Sequence, residues 1–466
     1  MKDKKVKIIA TLGPATDSAE IIQELAEEGV DIFRINLSHA NREEIRTRVS
    51  WVRAAEKKIK RPLTVMGDLA GPKIRIGDVE AGAELVRDEM VKIYKETVMG
   101  SSEGFSLNHS SIVTHLEPGA EIYIDDGYLK LRVETKTHDG VMARVIVGGE
   151  LKPRKGFSAE GLALSTVGVS EKDRADIKTM LEEETDALAI SFVQSDKDIF
   201  EVRELIPAHR KIMLVAKIET AMGIENAEKI IDAADALMVA RGDMGLAVPI
   251  AEVPHIQKRL INLCLQKAKP VITATQMLES MIHHPIPTRA EVTDVANAIL
   301  DGTDAVMLSA ETASGKFPVE TVRTMVKIIR SALPHVTPRY FHDEAFISNA
   351  VSESVSEIAT QIKSSLVIVF TQSGMSARRV ARNRHTQTII ALSPDKETIR
   401  TLNFTWGVHP KLIPATEDFD NLRMQAKEFA KENGVVDLEK GNPFVIVAGM
   451  PFGKTGSTNM LFVEKV

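Results

Sequence analysis

Two five-residue apolar runs in this chain each open onto a charged cluster, and the clusters lie 24 positions apart. The first, Ile212-Met213-Leu214-Val215-Ala216, is followed by Lys217-Ile218-Glu219. The second, Ala236-Leu237-Met238-Val239-Ala240, is followed by Arg241-Gly242-Asp243. Short apolar runs bounded by polar residues read as buried strands. A cation and a carboxylate at the mouth of one strand, repeated at the next, suit an anionic substrate held beside a divalent metal. Carboxylate oxygens are hard ligands, matched to Mg2+ or Mn2+ rather than zinc. No His/Cys cluster with zinc spacing occurs.

Other strand-like runs end in comparable groups. The run 6–11 ends at Thr11, before Gly13-Pro14. The run 31–36 contains Arg34 and Asn36 and leads to Ser38 and His39. The run 63–68 ends in Asp68, then Gly71-Pro72-Lys73-Ile74-Arg75. Further along stand Ser191-Phe192, then Thr273, Thr275 and Gln276, then Ser309 and Glu311. One charged residue after a strand is more often a solvated loop residue or a helix cap than a catalyst. A whole ring of them at one set of strand ends is harder to dismiss. Arg34, Lys73, Arg75, Lys217 and Arg241 supply positive charge, and Glu219 and Asp243 supply metal ligands. A dication, cations and hydroxyls together fit phosphoryl transfer, where positioning and charge neutralisation carry most of the catalysis.

The elements that must hold this ring number eight. Buried strands are predicted at 6–11, 31–36, 63–68, 186–192, 211–217, 235–240, 269–274 and 304–309. Amphipathic helices are predicted at 18–28, 41–58, 171–184, 197–206, 223–233, 252–268 and 290–300. Alternation of this kind implies a parallel sheet, and eight units imply a (β/α)8 TIM barrel with its active site at the carboxyl ends of the strands. An open doubly wound sheet is the rival, but it needs a nucleotide loop after its first strand, and none is found. About 115 residues separate the third strand from the fourth, too many for a loop. That stretch has alternating segments such as 121–124 and 129–134, with turn dipeptides Asp126-Gly127, Asp139-Gly140 and Gly148-Gly149, so it reads as a small inserted β-barrel lid. After Pro334 a new α/β alternation begins. The expected domains are therefore a catalytic barrel (1–72 and 170–334), a lid (73–169) and a C-terminal α/β domain (335–466).

Composition narrows the class. A net charge of −6 without a basic run argues against nucleic acid as partner. The single cysteine, Cys264, excludes a disulfide framework and fits a reducing cytoplasm. Lys7 and Gly13-Pro14 interrupt the apolar start, which is too short for a signal peptide. No apolar stretch reaches the ~18 residues of a membrane helix. Some motifs are discounted. Residues 449–455 resemble a P-loop but fall one residue short of its spacing. His283-His284 reads as a surface pair, and Met222, Met277 and Met281 as packing residues.

The ordered motifs Arg34-Ile35-Asn36-Leu37-Ser38-His39, Gly71-Pro72-Lys73-Ile74-Arg75, Lys217-Ile218-Glu219, Val239-Ala240-Arg241-Gly242-Asp243, Ile272-Thr273-Ala274-Thr275-Gln276-Met277, Pro287-Thr288-Arg289-Ala290-Glu291 and Ser309-Ala310-Glu311-Thr312 resemble pyruvate kinase along essentially the whole chain. The resemblance implies transfer of phosphate from phosphoenolpyruvate to ADP, giving ATP and enolpyruvate, which is protonated to pyruvate. It implies that Glu219 and Asp243 ligate Mg2+ or Mn2+, with a second Mg2+ arriving on ADP. Lys217 and Arg34 would hold the transferring phosphate. The backbone around Arg241, Gly242 and Asp243 would meet the substrate carboxylate, and Thr275 would help deliver the proton. Pro14, Arg34, His39 and Lys155 match nucleotide positions. Asn36, Ser38, Asp68 and Leu69 match a monovalent-cation cage. Lys73 stands where many members have Glu, so its ammonium is expected to replace K+. Thr371, Ser373, Gly374, Ser376, Lys454 and Thr455 match effector-phosphate loops, and Gln372 stands where bisphosphate-responsive members have Lys. The resemblance also implies a cytoplasmic homotetramer.

The chain departs from the family pattern at Gln194, at Met222 and in the lid segment 155–170. Two other readings share parts of the pattern. A pyruvate-type aldolase would use a similar metal pair but needs neither lid nor Lys155. A metabolite-sensing barrel would have no reason to keep Lys217, Glu219, Asp243 and Thr275 together.

Overall fold

Eight parallel strands close into a ring in the computed structural model of the chain. The structure describes residues 4–38, 40–71, 74–125, 127–159, 169–341, 346–415, 418–432, 441–450 and 458–465. The barrel strands are Lys7–Leu12, Ile32–Asn36, Thr64–Asp68, Ala187–Ile190, Met213–Ile218, Ala236–Ala240, Val271–Ala274 and Ala305–Leu308. The first pairs with the second through Ala10 and Phe33, and with the eighth through Ile8 and Val306, which completes the closure.

These runs are continuously apolar because both of their faces are buried. Side chains alternate across a strand. One set, including Ile8, Phe33, Ile35, Val65 and Leu214, points outward against the helices. The other set, including Ile9, Ile32, Met66, Val215, Met238, Ile272 and Met307, fills the barrel. Continuing the inward set by two residues toward the carboxyl end reaches Thr11, Arg34, Asp68 and Lys217. The same alternation that packs the core therefore delivers the polar ring to its mouth.

The surrounding helices start where side-chain caps allow. Ser18 accepts from the Ile21 amide ahead of Ala19–Glu28, Asn41 and Glu44 form a capping box ahead of Arg42–Ile59, and Thr288 and Glu291 form another ahead of Arg289–Leu300. The helix expected over 223–233 is broken into Ala221–Glu225 and Ala227–Ala233. Asn226 sits at the break and donates its amide to the Gln194 carbonyl at 2.9 Å. An eighth helix, Pro318–Ala332, was not anticipated, although Pro318 opens it and Val322, Met325, Val326 and Ile329 bury one face.

Between the third and fourth strands, a six-stranded sheet runs from Phe157–Ala159 through Glu121–Ile124, Leu129–Thr137, Gly140–Val147 and Met90–Tyr94 to Gly104–Ser106. Arg75 bridges to Gly156 beside one edge and Ile76 to Leu107 beside the other, so one short segment draws the edges together into a small barrel. This lid has its own core around Phe105, Ile122, Leu131 and Val145.

The C-terminal sheet has the order Val408–Leu412, Thr388–Ser393, Leu366–Phe370, Pro443–Gly449, Thr458–Lys465, with only the last strand antiparallel. Strand Val408–Leu412 escaped the sequence reading because Val408-His409-Pro410-Lys411-Leu412 has no apolar run; it is an edge strand, where a proline is tolerated. This unit seals the barrel floor. Phe404 joins the interior cluster beside Ile9, Ile32 and Met66. Arg384 donates to the Asp304 carboxylate at 2.7 Å and lies 4.9 Å over the Trp406 ring. Among the described residues no helix is long and apolar enough to cross a membrane.

Two histidines at this seam set a pH dependence. Burial, reinforced by Lys5, lowers the His385 pKa from 6.5 to about 3. Burial, reinforced by Lys7, lowers that of His409 likewise to about 3. The folded protein thus keeps both rings neutral in acid, whereas the unfolded chain protonates them near pH 6.5. Stability from these neutral rings is fully present above about pH 6.5 and is lost as pH falls toward 3. Denaturant titrations are expected to show the unfolding midpoint falling between about pH 6.5 and 4, ahead of most carboxylate protonation. A midpoint flat across that window would contradict this.

Candidate active site

The carboxyl ends of the strands enclose a cavity of about 630 Å³. Its wall includes Pro14, Arg34, Asn36, Ser38, Asp68, Leu69, Lys217, Glu219, Asp243 and Thr275, so ten residues singled out in the sequence meet at one mouth. They arrive from the first, second, third, fifth, sixth and seventh strands or the loops that follow them.

The charged groups form a chain. Arg34 donates Nε to Asp68 Oδ2 at 2.6 Å and Nη1 to Thr11 Oγ1 at 3.0 Å. Lys217 donates Nζ to Asp68 Oδ1 at 3.2 Å and to Ser191 Oγ at 2.7 Å, and lies 3.0 Å from Glu219 Oε1. Glu219 also accepts the Phe192 amide at 2.7 Å. Burial works against every charge here. For Lys217, burial lowers the pKa, but Asp68 and Glu219 overcome it and hold the ammonium above its ordinary range. For Asp68, burial raises the pKa, but Arg34 and Lys217 outweigh it and the carboxyl stays below its usual value. Glu219 moves the other way. Burial raises it, Lys217 only partly offsets this, and Asp243 adds a like charge.

Glu219 and Asp243 therefore face one cavity and repel each other, an arrangement that a cation relieves. Among the described residues no cluster of three or more His, Cys, Asp or Glu could hold a metal alone. Two hard carboxylates fit Mg2+, which keeps waters and takes substrate oxygens for its remaining positions.

Other residues singled out in the sequence lie off the cavity wall. The Arg241 guanidinium adds no charge to the cavity wall. It turns away, donating to the Asp294 carboxylate at 2.7 Å and to the Thr275 carbonyl at 2.7 Å. Gly242 contributes its amide, which donates to Thr275 Oγ1 at 2.8 Å. Arg75 belongs to the lid and donates to the Arg154 carbonyl at 2.8 Å. Lys155 is also on the lid, 2.8 Å from the Asp125 carboxylate, and is not on the cavity wall. His39, Lys73, Lys454 and Thr455 lie outside the described residues. In the C-terminal unit the Gly374 amide donates to Thr371 Oγ1 at 2.9 Å, Ser373 lies between them in sequence, and Ser376 pairs with Thr458. His283 and His284 are exposed, and Met277 and Met281 are in the core.

Ser191, singled out at a strand end, joins the wall, as do Glu44 and Arg48, which were not singled out. Ser191 ties Lys217 to the third strand, and also donates to the Leu69 carbonyl at 2.7 Å. Its signal was the period-2 continuation of Ala187 and Ala189. Glu44 and Arg48 also line the cavity. They stand four apart on the helix that opens just after Ser38, and so share a face.

A barrel whose mouth gathers cations, carboxylates and hydroxyls from successive strands defines an enzyme that moves an anionic group. A family model for the barrel domain of pyruvate kinase matches residues 3–322, and one for its alpha/beta domain matches residues 349–464. The chain belongs to the pyruvate kinase family and is a phosphotransferase. The pyruvate kinase of Methylorubrum extorquens is 39% identical, covering 100% of this chain and 98% of that one. That of Geobacillus stearothermophilus is 40% identical, covering 99% of this chain and 80% of its own length. A crystal structure of a pyruvate kinase from Cryptosporidium parvum matches with a TM-score of 0.91 at 31% identity, covering 99% of this chain and 96% of that one. This membership sets aside the aldolase and sensor alternatives.

Proposed function

We propose that this site transfers the phosphoryl group of phosphoenolpyruvate to ADP, giving ATP and enolpyruvate, and then protonates enolpyruvate at its methylene carbon to give pyruvate. The observation that carries the proposal is the chain Arg34–Asp68–Lys217–Glu219, closed against Asp243 in one cavity.

Phosphoryl transfer asks for positive charge around the moving group and for fixed partners. Asp68 holds Arg34 and Lys217 at once, so both cations are aimed before substrate arrives. Lys217 needs no proton added, because its neighbours keep it an ammonium. Glu219 and Asp243 would hold Mg2+ or Mn2+, which supplies neutralisation of substrate carboxylate and phosphate charge. Thr275 carries the proton-delivering hydroxyl; its Oγ1 is steered by the Gly242 amide. ADP would enter along Pro14, past Glu44 and Arg48.

Two regulatory features belong to the same reading. Asn36, Ser38, Asp68 and Leu69 line the wall as a cation cage would, and Lys73, by its place in the family pattern, would supply the charge in place of K+. The Thr371–Ser376 turn takes a monophosphate effector such as AMP or a hexose phosphate.

Lys217→Met is expected to cut ATP formation from phosphoenolpyruvate and ADP by about a thousandfold while the barrel stays folded by circular dichroism. Unchanged turnover would remove the phosphoryl-transfer assignment. Replacing K+ by Na+ or Tris should leave steady-state activity within about twofold, since an ammonium on the chain supplies the charge at no binding cost; a large drop refutes the role of Lys73. Calorimetry should detect AMP or a hexose monophosphate binding in the wild type and lose that signal in Ser373→Ala, because a donor to the phosphate is removed. Binding that survives the substitution argues against this turn as the effector site.

A further inference from the structure

The loop after the seventh strand carries Thr275 in an unfavourable conformation. Thr275 and the next residue, Gln276, both lie in the left-handed region, with φ of 69° and 53°. A β-branched side chain avoids that region. Something outside the loop must hold it there.

That something is the Arg241 side chain. It is nearly buried, and its N–H groups are spent on the loop. Nη2 donates to the Thr275 carbonyl at 2.7 Å, to Met277 Sδ at 2.9 Å and, at 3.4 Å, to the Gln276 carbonyl. Nε reaches the Ala274 carbonyl at 3.4 Å. Three consecutive carbonyls thus converge on one guanidinium. Its Nη1 donates instead to the Asp294 carboxylate at 2.7 Å and, at 3.5 Å, to Gln257 Oε1. Asp294 lies on the helix Arg289–Leu300, is 38% exposed and touches no part of the cavity. The adjoining Gly242 amide donates to the Thr275 hydroxyl. Residues 241 and 242 therefore grip both the main chain and the hydroxyl of Thr275.

We propose that Arg241 and Asp294 form a positioning clamp for Thr275: Asp294 orients the guanidinium, and the guanidinium holds the loop so that the Thr275 hydroxyl faces the methylene carbon. The proposal rests on the reading of Thr275 as the proton-delivering group. In that step a C–H bond forms at the methylene carbon of enolpyruvate, the enol oxygen becomes a carbonyl and its proton leaves to solvent, and the relay regains a proton from water. Arg241 and Asp294 are positioning residues, because neither touches the reacting atoms.

The test separates proton transfer from phosphoryl transfer in the full-length enzyme. One assay follows deuterium entering the methyl group of pyruvate from D2O, with Mg2+ and ATP present, by NMR. The other follows ATP formation from phosphoenolpyruvate and ADP in a single turnover by rapid quench. Asp294→Asn should slow methyl exchange about tenfold and ATP formation less than about twofold, because a displaced relay penalises only the step it serves. Asp294→Glu should recover a large part of the exchange rate, which a merely structural role would not predict. Parallel loss of both rates, or unchanged exchange in Asp294→Asn while Thr275→Ala abolishes it, overturns the clamp. Unchanged exchange in Thr275→Ala overturns instead the reading of Thr275. If Asp294→Asn does not fold, Asp294→Ser reads the same two rates: selective loss of exchange supports the clamp, and parallel loss overturns it.

Discussion

Charge is gathered at the mouth of this barrel in alternation, and the rest of the site depends on that order. An isolated ammonium or carboxylate at such burial would neutralise itself by shifting its pKa. Here Arg34, Asp68, Lys217 and Glu219 run plus, minus, plus, minus, each within 3.2 Å of the next. Each charge stabilises its neighbours against desolvation, and none is free to wander. The chain then meets Asp243, which makes no ion pair of its own among the described residues. Among the described residues of the cavity wall, Arg34, Arg48 and Lys217 stand against Glu44, Asp68, Glu219 and Asp243, an excess of one negative charge. Burial first, and then the like charge of Asp243, raises the Glu219 pKa, and a dication would relieve both carboxylates. Once a dication is present the balance reverses, and the mouth favours an anion.

The scaffold keeps that alternation in one place. The barrel is closed by hydrogen bonds, so the strand ends cannot splay. Its interior is packed by Ile and Met from all sides, and Phe404 of the C-terminal unit occupies the floor. The polar side chains at the carboxyl ends of the strands therefore face the other opening. The C-terminal unit is tied to that floor by Arg384 on Asp304, while the lid sits at the opposite end, with Phe157–Ala159 against the short helix Arg241–Ala247. A unit at the floor and a unit at the mouth thus both press on the same eight strands.

Most of this arrangement was legible in the residues. Buried strands announced themselves because apolar runs such as 212–216 and 236–240 serve two cores at once. The polar ring was visible because period-2 alternation carries an inward row from Ile9 to Thr11, or from Val215 to Lys217 and Glu219. What sequence could not convey was direction at chain ends and in loops. Arg241 looked like a cavity cation, yet its guanidinium turns back toward Asp294, a residue 53 positions away. Lys155 stands on the lid beside Asp125, a pairing its sequence position does not reveal. Strand Val408–Leu412 was hidden because an edge strand needs neither an apolar run nor a free amide at every position. Helix Pro318–Ala332 is a different case: its apolar face and its leading proline are plain in the residues.

The account's central claim is that Glu219 and Asp243 leave a negative excess that a dication fills. Direct titration of the full-length protein with Mn2+, followed by electron paramagnetic resonance of the free ion, measures this. The account predicts one tight site in the wild type, weakened by at least about tenfold in Glu219→Gln and again in Asp243→Asn, since each removes a hard oxygen ligand and its charge. Mn2+ affinity unaltered in both variants would contradict it.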